Sequence, residues 1–281
     1  MSKPMYGRNQ VPEPLRSLQR MHFDTGRPLT TQDHEPKIGV LDQSDLIAQG
    51  IHTSTFIPGA KIDADGLGSC TANSAMAALS NVLAPEVFAA LAHTMGYTVN
   101  LPTITGLDDV VGVERYAIGF YHVDTDQTGD LSTEWPPTDC GSSGADVVTE
   151  LESLGAISSD RVTSGANNLV SLLQTDGVMM GSPFFYSWEQ PDPQGFIDGD
   201  GSPEALQAAI RSGLAGGHET YISGIEALQL TETGLVIPSK TILKVRNSWS
   251  NTFGLGGSFL VHLSTLINLG SQCDYRQLVA V

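Results

Sequence analysis

The residue best placed for chemistry in this chain is Cys70. It follows Ser69, a natural helix N-cap, and it precedes Ala72, Ala75, Met76, Leu79, Val82 and Leu83, which fall on one apolar stripe at helical spacing. The pattern predicts that the thiol sits in the first turn of a helix. There the positive end of the macrodipole and unsatisfied N–H groups favour thiolate over thiol. The capping-box position, Ala72, carries no glutamate, so no capping carboxylate competes with an anion at that site. A thiolate nucleophile also needs a base. His218 opens a strand pattern after Gly216 and Gly217, 148 residues beyond Cys70, and Asn247 ends another strand pattern 29 residues further on. Each of the three has a plainer reading as well: a small buried helix cysteine, a satisfied interior histidine, a turn asparagine.

The elements that must position these residues divide the chain in two. Helical patterns run from Cys70, over 86–96, over about 113–123 and over 142–154, the last capped by Ser142 or Ser143. They imply a helical lobe over about 66–160. Short apolar or alternating runs follow at 178–186, 218–228, 235–247 and 257–263, separated by Gly, Pro, Asp and Ser and interrupted by helices at 167–175 and 203–214. A mainly antiparallel β lobe over about 161–281 is expected, so the class is α+β, with a site at the interface of the lobes. Residues 1–50 hold Pro4, Pro12, Pro14, Pro28 and Pro36 and few periodic apolar positions, which reads as an N-terminal arm ahead of a domain over 51–281. Within it, Leu15, Leu18 and Met21 could make one short helix.

With 281 residues, 40% of them hydrophobic and 16% charged, the chain has the composition of a globular protein of one large domain or two lobes. The net charge of −17 disfavours nucleic acid and anionic membrane surfaces as partners. The excess lies entirely in the body: residues 1–50 hold 6 basic and 6 acidic groups, residues 51–281 hold 8 and 25. No apolar run approaches the roughly 18 residues of a membrane span, and the stretch MSKPMYGRNQ has no apolar signal region. Three cysteines, Cys70, Cys140 and Cys273, are too few and odd in number for a disulfide scaffold, and no zinc-type pair occurs.

Four blocks, in order, resemble a papain-like (C1-type) cysteine peptidase, closer to the compact bacterial and viral branch than to the plant or lysosomal enzymes. They are Gly66-Leu67-Gly68-Ser69-Cys70-Thr71-Ala72-Asn73-Ser74, Asp139-Cys140-Gly141-Ser142-Ser143, Gly216-Gly217-His218 with the strand through Glu226, and Val245-Arg246-Asn247-Ser248-Trp249 with the turn Gly254-Leu255-Gly256-Gly257 and Phe259 behind it. The resemblance covers about residues 51–281. It implies a two-lobe fold with a cleft between a helical and a β lobe, Cys70 as nucleophile, His218 as its ion-pair partner and proton donor, Asn247 as the group orienting the imidazole, and Trp249 as a shield over that contact. Polypeptide is the implied substrate, cut by acyl-enzyme chemistry at peptide or isopeptide bonds. An inhibitory role for the short arm is one expectation, a tether or lobe-packing role another.

Several positions depart from the family. Its oxyanion hole uses a glutamine six residues before the nucleophile, and that position here is Ala64, flanked by Asp63 and Asp65. Loss of one such donor costs about 10²–10³ in rate. Leu67 stands in place of a disulfide cysteine, Thr71 of an aromatic, Glu219 of a small residue and Ser250 of a glycine. These departures motivate the alternative of a catalytically impaired papain-fold subunit that binds within a larger assembly. No cofactor or resident metal is expected. Asp124, Asp126, Thr128, Gly129 and Asp130 resemble half a calcium loop, but Trp135 stands where a bidentate glutamate belongs. Asp198-Gly199-Asp200-Gly201 reads as a solvated turn, and no phosphate-binding glycine loop follows a convincing strand.

Overall fold

A computed structural model describes residues 28–52, 66–95, 106–125 and 139–281. The short helix expected at Leu15–Met21, the Asp63-Ala64-Asp65 run and most of the calcium-like loop lie outside them. In chain order the elements are β1 (Gln32–Asp33), α1 (Cys70–Val82), α2 (Pro85–Met95), α3 (Val110–Thr125), α4 (Gly144–Ser153), β2 (Ile157–Val162), α5 (Ala166–Leu172), β3 (Val178–Phe185), α6 (Pro203–Ser212), β4 (Leu214–Ala227), β5 (Ile242–Arg246), β6 (Ser258–His262), α7 (Leu263–Leu269) and β7 (Asp274–Ala280). The strands form one antiparallel sheet in the order β2-β7-β3-β4-β5-β6, with β1 added to β4 beyond the last β3 partner.

The expected helices and the strands over 178–186, 218–228 and 257–263 are present. The run 235–247 is not one strand. Pro238 starts a single 3₁₀ turn over Pro238–Lys240, since it has no N–H to give a sheet, and β5 begins only at Ile242. Ser143, not Ser142, caps α4: its hydroxyl accepts from the Asp146 N–H at 3.2 Å and donates to the Asp146 carboxylate at 2.7 Å.

Helix α1 is the axis of the molecule. Every residue from Cys70 to Ser80 is buried, which an amphipathic surface helix never achieves and which the small side chains Ala72, Ala75, Ala77 and Ala78 permit by close approach to its neighbours. Its polar residues are bonded in turn: Ser74 Oγ donates to the Thr220 carbonyl of β4 at 2.8 Å, and Asn73 Nδ2 donates to both carboxylate oxygens of Glu114 on α3 at 2.9 and 3.1 Å. One apolar cluster, with Leu67, Met76, Leu79, Phe88, Tyr116 and Phe120, fills the helical side. A second, with Leu172, Phe184, Trp188, Leu243, Phe259 and Leu266, fills the β side.

Residues 28–52 are woven into both. Ile38, Leu41, Leu46 and Ile51 belong to the helical cluster. Asn81 donates to the His34 carbonyl at 2.8 Å, Lys37 donates its N–H to Ser80 at 3.1 Å, and Glu35 pairs with Lys244 and Arg246 of β5.

Two expectations follow. At Gly224, where β1 meets β4, an added Cβ would lie 2.5 Å from the Gln32 carbonyl oxygen, so backbone has to move. Gly224→Ala is expected to lower unfolding stability by about 1–3 kcal/mol in urea melts; an unchanged midpoint would contradict the close approach. The second concerns Glu114, whose carboxyl burial pushes up to about 8 against the Asn73 hydrogen bond. The folded chain then holds a proton that the unfolded chain releases near 4.5. Stability falls by roughly 1.4 kcal/mol per pH unit between those values. Glu114→Gln, which has no proton to lose, is therefore expected to gain on the wild type steadily from pH 5 to pH 8, and a pH-independent difference between the two would refute this.

Candidate functional site

The three residues singled out in the sequence lie together where α1 abuts β4. Cys70 is the first residue of α1 and is buried. Its sulfur accepts the N–H of Glu219, the residue after His218, at 3.4 Å, so the thiol lies against the segment of β4 that bears the imidazole. Ser69 stands at the N-cap as expected, but its hydroxyl makes no capping bond. The first N–H groups of α1 therefore receive no bond from the Ser69 side chain.

His218 Nε2 lies 2.8 Å from Asn247 Oδ1. The same Oδ1 accepts the Ser248 N–H at 2.8 Å, which identifies it as the amide oxygen and makes Nε2 the donor. With its proton on Nε2, the neutral ring keeps Nδ1 as its basic nitrogen. Trp249 stacks on the imidazole, ring centroids 4.7 Å apart and 23° between planes, and Phe184 meets both rings edge-on at 5.1 and 5.3 Å. The pair is thereby removed from water, where hydrogen bonds to a ring nitrogen gain strength. Burial lowers the His218 pKa to about 4, with the Asn247 bond acting in the opposite direction. The resting imidazole is therefore neutral over most of the accessible pH range, with burial opposing its protonation.

The loop ahead of Cys70 is pinned by polar bonds. Gly68 donates its N–H to Asp139 Oδ2 at 2.8 Å, Tyr121 donates its hydroxyl to Asp139 Oδ1 at 2.7 Å, and Gly141 donates its N–H back to the Tyr121 oxygen at 2.7 Å. None of the three cysteines is in a disulfide. Burial raises the Cys140 thiol, the opposite of an activated group.

The departures from the family pattern acquire physical reasons. Glu219 fits beside the histidine because Gly144, the first residue of α4, has no side chain: a Cβ there would lie 3.1 Å from Glu219 Oε1. The carboxylate meets the positive end of that helix. Ser250 has φ +68°, the only positive value for a residue other than glycine among the described residues, which is why a glycine suits the position. The Asp198 turn is solvated at Gly199 and Asp200, as expected, but not at Asp198 itself. Asp198 is buried, accepts the His262 N–H at 2.9 Å and the Thr265 hydroxyl at 2.6 Å, and so caps α7. Phe184 and Phe185 are core residues, while Tyr186 is exposed.

One residue was missed by reading the sequence. Gln43 is fully buried between the nucleophile loop and the strand end that carries Asn247. Its Nε2 donates to the Leu67 carbonyl at 3.0 Å, its Oε1 accepts the Ser248 hydroxyl at 2.5 Å, and its backbone N–H donates to the Ser248 carbonyl at 3.0 Å. It precedes Leu67 by 24 positions in the chain and meets it only through the fold. No periodicity marks it, and counting back along the loop arrives at Ala64 instead.

No protein-family model matches the chain, and no curated protein matches it either. Among solved structures, it is similar to xylellain, a cysteine protease from Xylella fastidiosa, at 17% identity and a TM-score of 0.50, covering 100% of this chain and 97% of that one. It also aligns with procathepsin B S9 from Trypanosoma congolense at 11% identity and a TM-score of 0.49, over 99% and 87% of the two chains. Helices on one side, an antiparallel sheet on the other and α1 between them constitute a papain-like α+β fold.

Proposed function

We propose that the protein is a cysteine peptidase that hydrolyses peptide or isopeptide bonds through Cys70, His218 and Asn247. The observation that carries the reading is the joint placement of the Cys70 sulfur on the Glu219 N–H and of the neighbouring His218 on Asn247. A thiol at a helix start, a buried neutral imidazole and an amide that fixes the ring's tautomer are the parts of a nucleophilic thiol site. That solved structures of the same fold include cysteine proteases supports the reading.

In the first step His218 Nδ1 takes the Cys70 proton, Sγ bonds to the substrate carbonyl carbon, and the carbonyl π pair moves to oxygen. Asn247 stabilises the resulting imidazolium through Nε2–H. The tetrahedral centre collapses, the C–N bond breaks, and the amine leaves with the proton from His218. Water, deprotonated by the same ring, then attacks the thioester, releasing the carboxylate product and restoring the thiol. A polypeptide segment of neutral or basic character suits a body with 25 acidic and 8 basic residues.

The complete burial of Cys70 favours a second reading, a papain-fold subunit that binds within a larger assembly and does no chemistry. One experiment separates the two. For a peptidase, iodoacetamide at pH 6 labels Cys70 far faster than Cys140 or Cys273, and Cys70→Ala abolishes turnover of a diverse peptide library. Asn247→Ala retains the nucleophile and is expected to lose about 10²-fold or more in turnover. Labelling of Cys70 no faster than the other two thiols, with no peptide cleaved, would establish the binding subunit.

A further inference from the structure

We propose that a single buried water molecule joins Asn73 of α1 to Asn247, and that Asn73 is thereby a positioning residue for the amide that orients His218. The site itself stands on the placement of buried polar groups; its effect on turnover rests on the peptidase reading.

A cavity of about 20 Å³ lies between the segment 36–41, α1, β4 and the end of β5, and Asn73, Ala77, Arg246 and Asn247 are among the residues that line it. That is the room one water needs. The two asparagines on its wall, each 2% exposed, have complementary demands. In Asn247 both partners are on the oxygen: Oδ1 accepts from the His218 ring and the Ser248 N–H, while Nδ2 meets no protein acceptor. Asn73 is the reverse. Its Nδ2 donates to the Glu114 carboxyl, while Oδ1 meets no protein donor. Neither His218 nor Glu114 lines the cavity, so each amide has a satisfied end turned away from it. The two ends of an amide diverge from one planar carbon, which leaves Asn247 Nδ2 and Asn73 Oδ1 for the cavity side.

A buried donor and a buried acceptor that do not bond each other cost free energy unless something between them serves both. Water does so: its oxygen accepts from Asn247 Nδ2, and one of its protons goes to Asn73 Oδ1. Arg246 brings a further donor, since its Nε is likewise buried with no protein partner, and the water oxygen has a second lone pair for it. Three bonds are the usual complement of a buried water. An ion fits less well, because the guanidinium of Arg246 opposes a cation and the Asn73 oxygen opposes an anion. Asn73 stands three residues beyond Cys70 on α1. Through the water, the helix that carries the sulfur also holds the amide whose oxygen keeps the His218 ring in one tautomer. The water sits at the end of Asn247 remote from the imidazole, so the His218–Asn247 bond itself stays dry.

The unaltered chain tests the site. A crystal structure is expected to show one ordered water within about 2.7–3.2 Å of both Asn73 Oδ1 and Asn247 Nδ2. No ordered water there, or one that touches only one of the two, would overturn the proposal. Positioning is read from nitrogen NMR spectra of the His218 ring and from kinetics. The wild-type ring carries its proton on Nε2 alone. Asn73→Ala is expected to add the Nδ1–H tautomer and to lower kcat about tenfold, with KM changed only a few-fold. Asn73→Asp keeps an acceptor for the water, and a protonated Glu114 can donate to its other oxygen, so it is expected to restore the single tautomer. Should Asn73→Ala fail to fold, Ala77→Val takes up the room for the water with both asparagines in place, and the same change of tautomer is expected. A single tautomer with wild-type kcat in Asn73→Ala or Ala77→Val, or no recovery in Asn73→Asp, refutes the positioning role. Should the wild type cleave no peptide, the peptidase reading fails by itself, and the ordered water and the ring tautomer still decide this proposal.

Discussion

The whole arrangement depends on one packing contact, a buried helix set along the middle strands of a sheet. Where α1 meets β4, the Cys70 sulfur rests on a strand amide and Ser74 bonds the next carbonyl but one along the same strand. Such a contact requires a helix with almost no protruding side chains, which the alanines of α1 provide. It also requires that each polar group on that helix find a partner inside the protein, since water is excluded. The Asn73–Glu114 pair meets the requirement at the cost of keeping a carboxyl in apolar surroundings.

The same dryness has two faces at the site itself. Trp249 and Phe184 remove water from the His218–Asn247 bond, which strengthens it and keeps the ring in one tautomer. They also hold the imidazole neutral, so the charge separation that the proposed mechanism calls for would have to be compensated by fixed dipoles. The start of α1 is one such dipole, and the Asn247 oxygen, itself held by the Ser248 N–H, is another.

How much of this was legible in the sequence differed by residue, for physical reasons. Cys70 was readable because helical periodicity and a serine cap locate a helix start almost to the residue. Asn247 was readable as a strand end and His218 as a strand residue, although β4 begins four residues ahead of it at Leu214, and their pairing came from a resemblance of four blocks, not from spacing alone. The sheet's outer strands were harder. β2 reads Ile-Ser-Ser-Asp-Arg-Val and is mostly half-exposed, so no apolar alternation announces it, and β1 is only two residues long. Asp198 looked like a turn residue because Asp-Gly-Asp-Gly is turn chemistry; its burial is decided by α7, which lies 64 residues further along and needs its cap. Gln43 was the least legible. Its position is set by Ser248 and Leu67, neither of them near it in the chain, and local pattern carries no information about such partners.

The separation of sulfur and imidazole along the chain has a consequence during biosynthesis. The 148 residues between Cys70 and His218 take on the order of ten seconds to emerge from a ribosome. Through that interval Cys70 is present without the strand amide its sulfur rests on, and that contact forms only once β4 has found its neighbours in the sheet. A reader of the finished fold sees one short distance where the growing chain has a long wait.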